Sequence, residues 1–92
     1  MLSYNEQGYI YFVCKTFGNQ PKATQEKIKS LCEEIGGAEY SAALFAVLTS
    51  PTSIRAAAQK YYISESQLYK LRKRFYESYA KYARAQAHRV GR

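Results

Sequence analysis

The 92-residue sequence contains no tryptophan, a single histidine, two cysteines and two prolines, and its seven acidic residues are all glutamate. One histidine and no aspartate leave too few ligands for a zinc site, so no metal is expected. His88 stands in a basic stretch with no carboxylate close in sequence to orient it, which removes the usual acid–base pair. A tyrosine nucleophile of the kind used in DNA cleavage also needs a cluster of Arg and His on a larger domain. Gly36-Gly37 is an isolated pair and not a phosphate-cradling loop. The chain therefore reads as a non-enzyme with no catalytic residues and no cofactor. Cys14 and Cys32 form no CxxC pair. They read either as a disulfide between two N-terminal helices or, as favoured here, as two small buried thiols. No run of about 18 apolar residues is present, so no membrane-spanning helix is expected. The N-terminus lacks a basic segment followed by an apolar one, which predicts a cytoplasmic protein.

What the chain has in excess is positive charge. Fourteen Lys and Arg oppose seven Glu, for a formal net charge of +7. The two halves differ. Residues 1–50 hold four lysines and five glutamates, a balance of −1, whereas residues 51–92 hold ten Lys/Arg against Glu65 and Glu77, a balance of +8. The basic half calls for a polyanionic partner. Hydrophobic residues make up 47% of the sequence, which places it among globular chains with room for one domain.

The apolar spacing is helical almost throughout. Ile10, Val13, Cys14 and Phe17 form one stripe within residues 4–17, with Asn5 as a candidate cap and Gly18-Asn19 as a stop. Tyr9 to Val13 also suits a short strand, but no partner strand is visible. Pro21 fits the first turn of a second helix carrying Ile28, Leu31, Cys32 and Ile35, and Gly36-Gly37 supplies a left-handed C-terminal residue. A third helix is expected over 38–48, with Tyr40, Leu44, Phe45, Val47 and Leu48 as burial candidates. Ser50-Pro51-Thr52-Ser53 opens a short fourth helix that buries Ile54, Ala57, Ala58 and Tyr61. Ser64 through Gln67 fits a capping box, and Ile63 with Leu68 fits a hydrophobic staple, so a fifth helix starts at Ser64. It continues through Leu71, Phe75, Tyr79 and Tyr82 toward Ala87. The expectation is an all-α bundle of about five helices in one domain. Residues 1–49 form a scaffold or dimerisation surface, 50–88 the functional part, and 89–92 a tail.

Two helices joined by a short turn, the second strongly capped and basic, suggest a helix-turn-helix. Ala58 supplies the small residue where the helices cross, Ile63 the apolar turn residue, and Leu68 and Leu71 the inner face. The stretch from Ser53 to Phe75, SIRAAAQKYYISESQLYKLRKRF, resembles the helix-turn-helix of bacterial transcription regulators. Its ISESQLYKLRKRF part is also similar to sigma-factor region 4 and resolvase-type domains. The resemblance covers about a quarter of the chain. It departs from the pattern at Tyr62, where glycine is usual. Tyrosine is costly in a left-handed conformation, which predicts a turn that is longer or differently shaped.

The resemblance implies double-stranded DNA as partner, with the second helix in the major groove and the first across the backbone. Over residues 66–75 the second helix carries Lys70, Arg72, Lys73 and Arg74 and no acid. Carried over to this chain, Ser64, Glu65, Ser66, Gln67, Tyr69, Lys70 and Lys73 face the bases. Arg55, Lys60, Arg72 and Arg74 suit phosphate, and Arg72 alternatively lies along Tyr76. Ser64 and Gln67 are equally explained as a cap. The expectation is a nucleoid-associated, sequence-specific regulator or mobile-element control protein that binds as a monomer or homodimer. The alternatives are a protein-interaction module, for example one that binds RNA polymerase, and a single-stranded nucleic-acid binder. The last follows from the six tyrosines crowded into residues 61–82, of which Tyr62, Tyr69 and Tyr76 fall off the apolar stripes. A basic amphipathic helix lying on an anionic membrane is a further, weaker alternative.

Overall fold

The computed structural model describes residues 2–90 and has four α-helices, α1 (Tyr4–Lys15), α2 (Lys22–Thr49), α3 (Ile54–Tyr61) and α4 (Glu65–Val90). A short 3-10 turn, Phe17–Asn19, links α1 to α2, and the described residues contain no strand. Helix α4 continues through Arg89 and Val90, which were expected in the tail, while Gly91 and Arg92 lie outside the described residues, as do the side chains of residues 88–90. The molecule measures 45 × 27 × 22 Å. Its long dimension follows from α4, whose 26 residues extend about 39 Å at 1.5 Å each.

Helix α1 begins at Ser3 and not at Asn5. The Ser3 hydroxyl accepts from the Glu6 amide at 3.0 Å, and the Glu6 carboxylate accepts from the Ser3 amide at 3.1 Å. This closed capping box satisfies two donors that the helix start would leave unpaired. The residues Tyr9 to Val13, which also suit a strand, lie in this helix.

The count is four helices where about five were expected, because the segments before and after Gly36-Gly37, each helical, join at a kink within α2. The element is broken at Gly37, whose φ of 67° and ψ of −173° are not the left-handed helical stop anticipated there. That pairing of angles is open essentially to glycine alone. Gly36 is needed for a different reason. A Cβ on it would stand 2.8 Å from the Ser41 backbone nitrogen, so the chain can fold back on itself only if the position is bare. Helix α2 ends at Thr49, where Lys15 of α1 donates from Nζ to the carbonyls of Val47 (3.1 Å) and Ser50 (2.6 Å). A cation there answers the carbonyls and the negative pole of the helix end.

The core is continuous and draws on every helix. Ile10, Val13 and Cys14 come from α1, and Ile28, Leu31, Cys32 and Ile35 come from the first part of α2. Leu44, Val47 and Leu48 follow after the break. Ile54, Ala57 and Ala58 of α3 meet Leu68, Leu71 and Phe75 of α4. Phe17, which falls in the 3-10 turn past the end of α1, and Tyr40, Phe45, Tyr61 and Tyr82, all expected inside, are half-buried and pack at the margin. Both cysteines are free thiols with almost no exposure, and burial pushes each up to about 12. They therefore act as small hydrophobes, and the disulfide alternative falls. Helix α2 touches all three other helices and so holds α3 and α4 in place.

Candidate nucleic-acid interface

Ser53 caps α3, its hydroxyl accepting from the Ala56 amide at 3.1 Å. Helix α3 then stops after eight residues, and Tyr62, Ile63 and Ser64 connect it to α4. Tyr62 sits at φ 57°, ψ 46°, the left-handed helical region. The turn is thus the short, left-handed one that glycine usually provides, and not the longer or altered one anticipated from a tyrosine. The Ile63 amide donates to the Ala58 carbonyl at 3.0 Å, the six-to-one bond of a Schellman ending. Ile63 turns into the core, and this burial, with the bond from its amide to the Ala58 carbonyl, holds Tyr62 in its strained conformation. The Tyr62 side chain itself is 95% exposed.

Ser64 caps α4, its hydroxyl accepting from the Gln67 amide at 3.1 Å. The return bond of a capping box, from the Gln67 side chain, is not formed, so half of that expectation holds. Gln67 is half-buried, whereas Ser64, Glu65 and Ser66 are exposed. Glu65, at the positive pole of α4, lies 3.8 Å from Arg55 Nε, which brings one residue expected at bases against one expected at phosphates. Both side chains are well exposed, so this is a weak pair. Lys60 is also exposed, with its Nζ 5.5 Å from the centre of the Tyr61 ring.

Along α4 the inner side is fully committed. Leu68 and Phe75 have no exposure, and Phe75 stacks on Tyr79 at 5.9 Å, which meets Tyr82 edge-on at 5.6 Å. Burial pushes Tyr79 up to about 12. Opposite this side, Ser66, Lys70, Lys73 and Arg74 are exposed. Among the described residues none of these three cations has an ion-pair partner. Tyr69 is 51% exposed, and the Arg72 guanidinium lies 5.2 Å from its ring centre. Arg72 is half-buried, away from the outermost cations.

The expected site residues thus divide. Ser66, Lys70 and Arg74 point outward, while Tyr69, Arg72 and Lys73 line a groove of about 710 Å³ shared with α1. Tyr4 and Tyr11 of α1, with Tyr76 of α4, complete its aromatic lining, and Gly8 leaves space between the two tyrosines of α1. Sequence reasoning missed the α1 residues. Their signal was present as a second helical stripe, Tyr4, Gly8 and Tyr11, beside the apolar stripe of Ile10, Val13 and Cys14. Glu6 anchors α1 to α4 through both oxygens, with Arg84 Nη2 donating at 2.7 Å. Those hydrogen bonds hold the Glu6 carboxyl at about 2, below the ordinary 4.5.

Among the described residues, no group of His, Cys, Asp and Glu could hold a metal ion, and no helix is long and apolar enough to cross a membrane. Comparison with protein-family models, with curated proteins and with solved structures gives no match.

Proposed function

We propose that this chain binds double-stranded DNA through α3, the turn and α4, as a small sequence-specific regulator. The observation that carries the reading is the outer side of α4, where Lys70, Lys73 and Arg74 stand exposed without a carboxylate partner among the described residues. Over residues 66–75 this face carries no acid, and Glu77, exposed one turn beyond Lys73, pairs with none of the three among the described residues. A merely solvated helix face mixes charges of both signs more evenly than one that meets phosphate. The three-residue turn, the cap at Ser64 and the buried Ala58, Ile63, Leu68 and Leu71 support the same reading, because they set α3 firmly against α4. In this reading α4 enters the major groove, and Ser66, Lys70 and Lys73 face base edges. Lysine donates there to guanine O6 and N7. Arg55 and Lys60 of α3 and Arg74 of α4 contact phosphate, which sets position without reading sequence. Arg55 leaves its weak pair with Glu65 to do so. Ser64 serves through the backbone, as the cap that aims the first turn of α4.

The test is selection from a randomised duplex pool followed by salt titration of the selected site. Three phosphate contacts, from Arg55, Lys60 and Arg74, give a log–log slope of roughly −3. Lys70→Ala with Lys73→Ala weakens binding by about 1–3 kcal/mol per lost base contact and relaxes the selected sequence. Unchanged affinity and an unchanged selected sequence in that double variant refute the assignment of α4 to DNA. A shallow slope with no selected sequence refutes DNA recognition altogether and favours a protein partner.

A further inference from the structure

The groove between α1 and α4 is not explained by duplex binding. Four of its lining residues are tyrosines, and two of these, Tyr4 at 89% and Tyr11 at 57%, are exposed on a helix whose other side already fills the core. Tyrosines that serve packing are covered, as Tyr79 is. Exposed rings contribute little to folding, so their grouping at helical spacing calls for something that covers them. The remaining lining is polar or cationic. Arg72 and Lys73 are its charged groups, and no carboxylate lines it. The volume of about 710 Å³ lies in the range of ligand clefts.

We propose that this groove binds a single-stranded nucleic-acid segment, its bases stacked on the tyrosine rings and its phosphates held by Arg72 and Lys73. Every base offers a flat π face, and aromatic side chains along a positive groove bind unpaired bases without reading their order. The Arg72 guanidinium, close to the Tyr69 ring, adds a cationic plane to the same surface. The charge also argues against a second copy of this chain seated groove to groove, since that would oppose Arg72 and Lys73 to themselves. The site differs from the outward face of α4 in composition, with Lys73 at the boundary of both.

The experiment is fluorescence anisotropy of end-labelled oligo(dT) of about 10 nucleotides, with oligo(U) and an abasic oligonucleotide of equal charge in parallel. Tyr4→Ala with Tyr11→Ala is the test variant. Both side chains are exposed, and a circular dichroism melt checks that the fold is retained. Wild-type protein binds oligo(dT) or oligo(U) at least tenfold more tightly than the abasic chain, and the double variant loses about tenfold or more in affinity for the preferred strand. The DNA and RNA arms identify which strand is preferred. Equal binding of the abasic chain, or an unchanged affinity in the tyrosine variant, overturns the proposal, as does an absence of oligonucleotide binding. Lys70→Ala with Arg74→Ala, outside the groove, separates this from the duplex reading. That pair weakens duplex binding and leaves oligo(dT) binding within about twofold, so either site can fail while the other stands.

Discussion

Replacing Tyr62 by glycine stabilises this protein. Tyr62 is the one described non-glycine residue with positive φ, and a left-handed backbone costs an L-residue roughly 1–2 kcal/mol. The side chain is 95% exposed, so removing it forfeits almost no buried surface. Glycine adds freedom to the unfolded chain, which offsets about 0.4–1 kcal/mol. The balance is a gain of about 0.5–1 kcal/mol, which raises Tm by roughly 2–8 °C in a domain of this size. Thermal and urea melts followed by circular dichroism measure it, and an unchanged urea slope shows that the surface exposed on unfolding is the same. Tyr62→Ala is the control, because alanine keeps the Cβ that causes the strain. Its stability is expected to stay within about 0.5 kcal/mol of wild type. A lower Tm for Tyr62→Gly refutes the reasoning, for it would mean that the ring makes a stabilising contact or that the turn is not left-handed.

Three other perturbations test the fold from different sides. Gly37→Ala, at φ 67° and ψ −173°, is expected to cost about 1–3 kcal/mol, and a melt showing no loss would mean that the break in α2 lies elsewhere. The Glu6 carboxyl is held at about 2 in the folded protein by Arg84 and Ser3, against an ordinary 4.5. A depressed carboxyl contributes stability above its unfolded value and loses it as pH falls through the folded one. Urea melts should therefore show the advantage of wild type over Glu6→Gln fading between about pH 4.5 and pH 2. A constant difference across that window would rule out the Glu6–Arg84 pair as its source. Cys14 and Cys32, pushed up to about 12 by burial, should resist alkylation at neutral pH in the native protein and react once it is unfolded. Mass spectrometry reads the label, and rapid modification of native protein would show that the core opens around α1 and α2.

Much of the scaffold was legible because its signals are local. Helical periodicity marked Ile10, Val13, Cys14 and Phe17, then Ile28, Leu31, Cys32 and Ile35, and all of them are buried except Phe17, which lies past the helix end and is half-buried. Ser64 was legible as a cap, whereas Ser53 was one of a cluster of candidates, Ser50 to Ser53, among which only the structure chose. The Ser3–Glu6 capping box carried the same kind of signal and was overlooked in favour of Asn5. Among the tyrosines of α4, Tyr79 is buried and Tyr69 exposed as their phase implies. Tyr82 stops at the margin, however, and Tyr76, placed off the apolar stripe, is half-buried against the core; Tyr61 of α3 also stops at the margin.

The rest depended on how the helices meet. Whether Gly36-Gly37 ends a helix or bends one is decided by the fold-back that brings Ser41 against Gly36, a contact invisible to local propensity. Whether Tyr62 can occupy a glycine position is decided by Ile63, whose burial in the core outweighs about 1–2 kcal/mol of backbone strain. The lysine that answers the end of α2 lies 32 residues before the nearer of the carbonyls it reaches. The groove is the clearest case. Tyr4 and Tyr11 are 58 residues or more from Tyr69, and nothing in either helix alone says that they share a wall. Periodicity assigns each residue to a side of its own helix. Which sides then face each other is a property of the packed core, because burial is nondirectional and is satisfied only by the assembled set of helices. The basic character of residues 51–92 was written in composition, but its division into an outward face of Lys70 and Arg74 and a tyrosine-lined groove with Arg72 and Lys73 came from the placement of α1 against α4.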